Sequence, residues 1–418
     1  MVGDAGVVEG QGAHSCHPTE RRFPPHLIYG AHPALTRRSP RRHAHAVRRP
    51  DDAGVTVTRE SEVLDRAASL VVTPAVVAHR GASGHRPEHT LESYRTAIRM
   101  GVDDIELDLV ITRDGVLVAR HESEISRTTD VAGRPEFAHL RTTRTIDGIE
   151  LTGWFVEDFT LAELKTLAAR ERMPGTRPDN TAYDGAEGIP TFNEVLAMVG
   201  AESVRRGRTV GVMVELKHAT YFDSIGLPLD EPLLDDLARH GLDGPWARVS
   251  IMSFETTILR RLATRTRLPV IQLLEKAELR PADLEVDDPR TYGDLASPEG
   301  LAWIDEYADG IGPHKSLVLP RDGSGAIGLP STLVRDAHRL WLTVHVWTVR
   351  AENRFLPTNL RFGGAPDALG DMAGEVRALL DAGVDGVITD HPEIALGEWR
   401  RRHAAFTPHP PGAGWLRP

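Results

Sequence analysis

Cysteine is almost missing from this chain of 418 residues, where only Cys16 occurs. No intrachain disulfide, CxxC redox pair or thiolate zinc cage can form, so any bound metal must rest on oxygen or imidazole ligands. Aromatic residues are sparse, at 6%, and no stretch approaches the roughly 18 consecutive apolar residues of a spanning helix. Stable membrane insertion is therefore not expected. Basic residues are outnumbered, with 49 Lys+Arg against 60 Asp+Glu and a formal net charge of −11, which argues against nucleic acid as a partner. The first residues lack a basic segment followed by an apolar one. No export signal is read, and the cytoplasm is the default location.

What is present is a globular composition, 40% hydrophobic and 26% charged, in a chain long enough for a large core. The charge is uneven. Residues 1–50 hold eight Arg, no Lys and three acids, a net +5, so the rest carries −16. The same segment holds six of the nineteen histidines and six prolines and cannot bury enough apolar surface to offset ordering entropy. Residues 1–74 are expected to be a disordered extension, 75–400 the folded domain, and 401–418 a flexible tail.

From Val76 onward, β-branched runs recur, several of them separated by segments of helical periodicity. The runs are Val76–His79, Asp104–Leu109, Val210–Leu216, Val249–Phe254, Pro269–Leu274, Asp309–Gly312, Thr343–Trp347 and Gly386–Thr389. Strand alternating with helix implies parallel strands joined by crossovers, and eight of them fit a closed (β/α)8 TIM barrel of the α/β class. A further run, Val116–His121, follows Asp108 through an Arg113-Asp114-Gly115 turn and can only fold back antiparallel. The polar stretch of about 122–190, with a helix expected over Leu161–Arg170, reads as an insertion beside the barrel mouth.

Period-2 geometry puts Asp104, Glu106 and Asp108 on one strand face and Ile105, Leu107 and Leu109 on the other. In a barrel the acids point inward, where they repel one another unless a cation or basic side chains neutralise them. In the fourth strand Glu215 and Lys217 share a face at the C-terminal end, the end that carries barrel active sites. Glu106, Asp108 and Glu215 thus form an all-oxygen pocket suited to Ca2+ or Mg2+, although Arg80 and Lys217 could neutralise the same acids without metal. His79 and His121 reach the same mouth, as acid–base chemistry near neutrality would need, and Arg80 and Lys217 together with a divalent metal would make a receptor for phosphate.

The run His79-Arg80-Gly81-Ala82-Ser83-Gly84, with Arg86-Pro87-Glu88-His89-Thr90, Glu106-Leu107-Asp108, Thr112-Arg113-Asp114-Gly115 and His121, resembles the glycerophosphodiester phosphodiesterase family. So do Glu215-Leu216-Lys217, Ser253-Phe254, Trp347-Thr348 and Gly386-Val387-Ile388-Thr389-Asp390. The segments Thr128–Ala132 and Gly153-Trp154-Phe155 resemble its bacterial branch with a barrel insertion. The resemblance implies a TIM barrel that cleaves glycerophosphodiesters, small-molecule substrates, to sn-glycerol 3-phosphate and an alcohol, through a cyclic phosphate. It implies His79 and His121 as the catalytic pair, Glu106, Asp108 and Glu215 as ligands of a divalent metal, Arg80 and Lys217 on the phosphate, and Trp347 in the glycerol pocket. His89, Glu122 and Met252 depart from the commoner family residues, and none is expected to touch the proposed ligands. Glu122 is expected to alter how His121 is oriented.

Other signals carry less. Gly323–Gly328 matches G-x-G-x-x-G but precedes Pro330 and lies in a loop, not at a helix start. His121-Glu122 does not continue to HExxH, since residue 125 is Ile. His314 and His345 sit at strand ends as wall or structural residues, and His218 points to the opposite face from Lys217. The alternatives are a lysophospholipase D-like activity and a non-catalytic phosphate-binding module. Head-group preference, the choice of metal and oligomeric state have no readable signal.

Overall fold

Short aliphatic, β-branched runs form strands because both faces of a parallel sheet can be buried, one against helices and one inside a closed barrel. The computed structural model describes residues 75–284 and 288–406. Its strands are β1 (Ala75–Ala78), β2 (Asp104–Ile111), β3 (Leu117–Ala119), β4 (Thr142–Ile146), β5 (Ile149–Gly153), β6 (Gly211–Leu216), β7 (Val249–Ser253), β8 (Val270–Leu274), β9 (Gly310–Pro313), β10 (Thr343–Val349) and β11 (Gly386–Thr389). Strands β1, β2 and β6 to β11 are parallel and close into an eight-stranded TIM barrel. Closure comes from β1, which pairs with β2 through Val77 and Asp104 and with β11 through Ala75 and Gly386.

Helices such as Leu91–Met100, Phe192–Arg206, Thr256–Ala263 and Met372–Asp381 fill the crossovers. The helix Leu91–Met100 starts where the Thr90 side chain accepts from the Ser93 N–H and stops at Gly101, whose φ of 107° an L side chain would resist. The main core lies between these helices and the outer barrel faces. A smaller apolar plug of Val77, Met213, Met252, Ile271, Leu273 and Ile388 fills the barrel interior and floors whatever sits at the mouth.

The Thr112–Gly115 turn returns the chain as β3, antiparallel to β2 with Leu109 opposite Ala119. It is an arm on the second strand and not a further stave. Beyond it the insertion carries the β4–β5 hairpin and several short 3-10 helices. The helix expected over Leu161–Arg170 ends at Leu164. The N–H groups of Ala168, Ala169 and Arg170 go instead to Asp130 Oδ1, the Glu187 carbonyl and the Thr128 carbonyl, so tertiary pairing overrides helical periodicity there. At the other end the closing helix, Pro392–Phe406, runs past residue 400, where a tail was expected to begin. The extension expected over 1–74 and residues 407–418 of the expected tail lie outside the described residues.

Candidate active site

Parallel register places Asp108 beside Glu215 on neighbouring β2 and β6, with Glu106 two residues before Asp108 on the same inward face. Their carboxylate oxygens lie within 4.8 Å of one another, and all three residues are buried. Burial, followed by the neighbouring Asp108, pushes the Glu106 carboxyl well above the usual carboxylate range. Burial raises Glu215 to about 8 against the pull of Lys217. Asp108 goes the other way: burial would raise it, but Arg80 and Lys217 hold it well below. Its Oδ1 is buried with no hydrogen-bond partner. Three crowded carboxylates and an orphaned oxygen are the donor set of a hard cation, so these residues could hold a divalent metal ion.

The basic groups surround this cluster. Arg80 follows β1 in a left-handed conformation, φ 57°, that aims its own N–H at Glu106 Oε2, 2.8 Å away. Its Nε lies 3.1 Å from Asp108 Oδ2, and its Nη1 bonds both oxygens of Glu88 at 3.1 and 3.2 Å. Lys217, just past β6, donates to Glu215 Oε1 at 2.7 Å and lies 5.4 Å from the Phe254 ring centre.

His79 leaves the end of β1 and His121 the end of the β3 arm, so the two imidazoles come from adjacent parts of the mouth. Each Nδ1 meets a carboxylate: His79 meets Asp390 Oδ1 and His121 meets Glu122 Oε1, both at 2.6 Å. A carboxylate on Nδ1 fixes that nitrogen as the N–H and leaves Nε2 as the base. Burial and then Arg80 lower His79 to about 4, against the opposing charge of Asp390. Desolvation, then Arg80 and Lys217, lower His121 to about 3. Because the His121 side chain keeps 29% exposure, solvent screening tempers that second shift.

A cavity of about 750 Å³ opens on this constellation. His79, Arg80, Glu106, His121, Glu215 and Lys217 line it, and Trp347 forms part of its far wall. Trp347 is locked by Nε1 donating to the Gly312 carbonyl at 2.6 Å and by edge contacts with Phe254 and His314. The structure therefore brings together all eight residues singled out in the sequence, with Asp108 immediately behind the cavity wall.

One expectation needs correction, and four other residues can now be placed. His89 does touch a proposed ligand: its ring is completely buried, with Nε2 on Asp108 Oδ2 at 2.9 Å and Nδ1 on the Tyr94 hydroxyl at 2.7 Å. His345 shares the inward face of β10 with Trp347 but lies a layer deeper, against Gly386, where an added Cβ would come within 2.5 Å of the His345 ring. It is no part of the mouth. Asp104 likewise faces inward but pairs with Arg248 at the opposite end of the strand, outside the carboxylate cluster. His314 lines the cavity, and its Nδ1 accepts from the Ser316 N–H at 3.2 Å. His218 bonds Asp147 at the tip of the β4–β5 hairpin at 2.6 Å.

Two arginines of the insertion went unread in the sequence. Arg172 bonds Glu122 at 2.6 and 2.7 Å and Glu88 at 2.6 and 2.5 Å. Arg177 bonds Asp390 Oδ2 and Glu352 Oε1, both at 2.6 Å. Asp390 belonged to a recognised motif and carried no assigned role.

Comparison with known proteins points one way. The model of the glycerophosphoryl diester phosphodiesterase family matches residues 79–394. Glycerophosphodiester phosphodiesterase GDPD6 of Arabidopsis thaliana is 33% identical over 329 residues, covering 76% of this chain and 83% of its own length. The glycerophosphodiester phosphodiesterase of Haemophilus influenzae is 27% identical, covering 77% of this chain and 88% of its own. Among solved structures, an Oleispira antarctica phosphodiesterase in complex with the product sn-glycerol-3-phosphate superposes with a TM-score of 0.52 at 19% identity, covering 78% of this chain and 96% of its own. That likeness is one of fold.

Proposed function

The chain belongs to the glycerophosphoryl diester phosphodiesterase family, and from that premise we propose that it hydrolyses glycerophosphodiesters to sn-glycerol 3-phosphate and an alcohol, with His79 and His121 as the acid–base pair. The observation that carries this reading is the convergence in one cavity of two carboxylate-held imidazoles, two cations and a three-carboxylate cluster.

The glycerol 2-hydroxyl attacks phosphorus while the Nε2 of one histidine takes its proton. As the bond to the leaving oxygen breaks, the other histidine supplies that oxygen with a proton, giving a cyclic phosphate and a free alcohol. The roles then reverse: the second imidazole deprotonates water, which opens the ring, and the first protonates the glycerol 2-oxygen. Both imidazoles are held low and are neutral bases near pH 7; a phosphate anion bound between them favours the protonated form of whichever acts as acid.

Arg80 and Lys217 hold the phosphate in this scheme, and Trp347 offers an apolar wall to the glycerol carbons. A divalent cation, Ca2+ or Mg2+, held by Glu106, Asp108 and Glu215 would supply Lewis-acid polarisation of the phosphoryl oxygens. It would also take over the counter-charge of Glu215, leaving the Lys217 ammonium available to the substrate.

The test is release of sn-glycerol 3-phosphate from glycerophosphocholine by purified protein, with and without EDTA and with Ca2+ or Mg2+ restored. Release abolished by chelator and recovered with metal is expected. No release under any metal condition removes the reading, and release indifferent to EDTA removes only the metal. Lysophosphatidylcholine belongs in the same assay, because the lysophospholipase D-like alternative predicts it as the better substrate.

A further inference from the structure

Each histidine of the proposed pair is held by one carboxylate, and each of those carboxylates is held in turn by an arginine that the barrel does not supply. Glu122, on Nδ1 of His121, receives two parallel bonds from Arg172, at 2.6 and 2.7 Å. Asp390, on Nδ1 of His79, receives Arg177 at 2.6 Å on the oxygen that His79 leaves free, where Arg350, just past β10 of the barrel, also donates at 2.8 Å. Both arginines lie in the insertion between β5 and the helix Phe192–Arg206, and neither lines the large cavity. They line a pocket of about 40 Å³ beside His79 and Asp390 instead.

The contacts on the far side of each guanidinium explain why it cannot drift. Arg172 makes two further bonds to Glu88, which also takes Arg80. Arg177 bonds Glu352 and the Ser83 carbonyl at 2.9 Å, while the Ser83 hydroxyl donates to the His79 carbonyl at 2.8 Å. Arg177 thus grips His79 twice, through its ring partner and through the backbone that follows it. Planar guanidinium forks suit such bridging because two fixed bonds define an orientation as well as a distance.

We infer that Arg172 and Arg177 are positioning residues, Arg172 for His121 and Arg177, beside the barrel's Arg350, for His79, so that the insertion shares in setting the proton-transfer geometry of a site whose reacting groups all stand on the barrel and its β3 arm. The inference rests on the histidine assignment above. It assigns the insertion a part in turnover that is separate from binding substrate.

The experiment compares Arg172→Met, Arg172→Lys, Arg177→Met and Arg177→Lys with Glu122→Gln, His121→Ala and the double variant Glu122→Gln/Arg172→Met, in the full chain at saturating metal. With glycerophosphocholine, the Met variants are expected to lose kcat about ten- to hundredfold with KM within about threefold, as loss of an outer partner of a functional histidine typically does. The Lys variants should recover part of the loss. Glu122→Gln/Arg172→Met should be no slower than its worse single variant, because both changes cut one linkage. Wild-type kcat in a folded Met variant, a loss confined to KM, or additive losses in the double variant would overturn the inference. If the Met variants do not fold, the Lys variants and Glu122→Gln decide it by the same criteria. Near-wild-type turnover of His121→Ala would instead remove the underlying histidine assignment, an outcome separable from a dead His121→Ala beside an unaffected Arg172→Met.

Discussion

Asp108 and Glu215 are register partners on adjacent parallel strands, so their carboxylates are forced into one buried space, with Glu106 inside 4.8 Å of both. Repulsion between them is the direct result of strand pairing, and burial makes it worse. Replacing one of the three carboxyls by a neutral amide should not penalise the metal-free protein, because burial and Asp108 already push Glu106 toward its neutral form. Glu106→Gln is expected to melt at or above the wild-type temperature in EDTA and to lose the rise in melting temperature that Ca2+ or Mg2+ gives wild type. For ligand at a hundred times Kd that rise corresponds to about 2.7 kcal/mol. Differential scanning fluorimetry across a metal titration checks it, and a metal-dependent shift retained in Glu106→Gln would remove that residue from the cation site.

His121→Ala and His79→Ala should each lower kcat about 10²–10⁴-fold, the range for a positioned acid or base, with circular dichroism unchanged. Turnover of glycerophosphocholine near the wild-type rate in either variant would take that residue out of the mechanism.

His89 bridges Tyr94 and Asp108 in a fully buried setting. Substitution by Leu removes both partners' hydrogen bonds while leaving them out of reach of water. Such a loss costs about 1–3 kcal/mol for each buried group left unsatisfied. Urea denaturation should show His89→Leu destabilised by that order, and turnover should fall as well because Asp108 loses one of the two groups that orient its Oδ2. A stability equal to wild type would mean that the ring merely fills space.

For Asp390, burial alone would raise the carboxyl, but Arg350 and Arg177, with His79, hold it well below the ordinary range. A folded-state pKa below the unfolded one means that the stabilisation is complete above about pH 4 and disappears as pH falls through the folded value. The stability gap between wild type and Asp390→Asn should therefore be constant from pH 5 to 8 and narrow below about pH 4. Chemical denaturation across that range measures it; a gap that widens on acidification would contradict the sign.

The barrel was legible because short β-branched runs recur, several of them separated by segments of helical periodicity, and the alternation of acid with aliphatic in 104–109 exposed Glu106 and Asp108. Alternation gives the face but not the depth. Thr343, His345 and Trp347 all point into the barrel, and only the last stands at the mouth. The arginines were illegible for another reason. Arg172 finds its partners 50 and 84 residues away and Arg177 finds Asp390 at a separation of 213, so in the linear chain each looks like any solvated basic residue in a polar stretch. His89 escaped in the same way, since no local pattern says which strand its ring will meet. The overlong helix at 161–170 arose because periodicity cannot weigh the bonds that Thr128, Asp130 and Glu187 offer to that backbone.

The bond between His79 and Asp390 spans 311 residues and coincides with the seam where β1 meets β11. A nascent chain has made every other member of the constellation well before residue 390 is added, yet its first imidazole still has no carboxylate and its barrel no closing strand. A product cut short before β11 would carry His79, His121, Glu106, Asp108, Glu215, Arg80 and Lys217 with neither the carboxylate on the first imidazole nor the strand that closes the barrel.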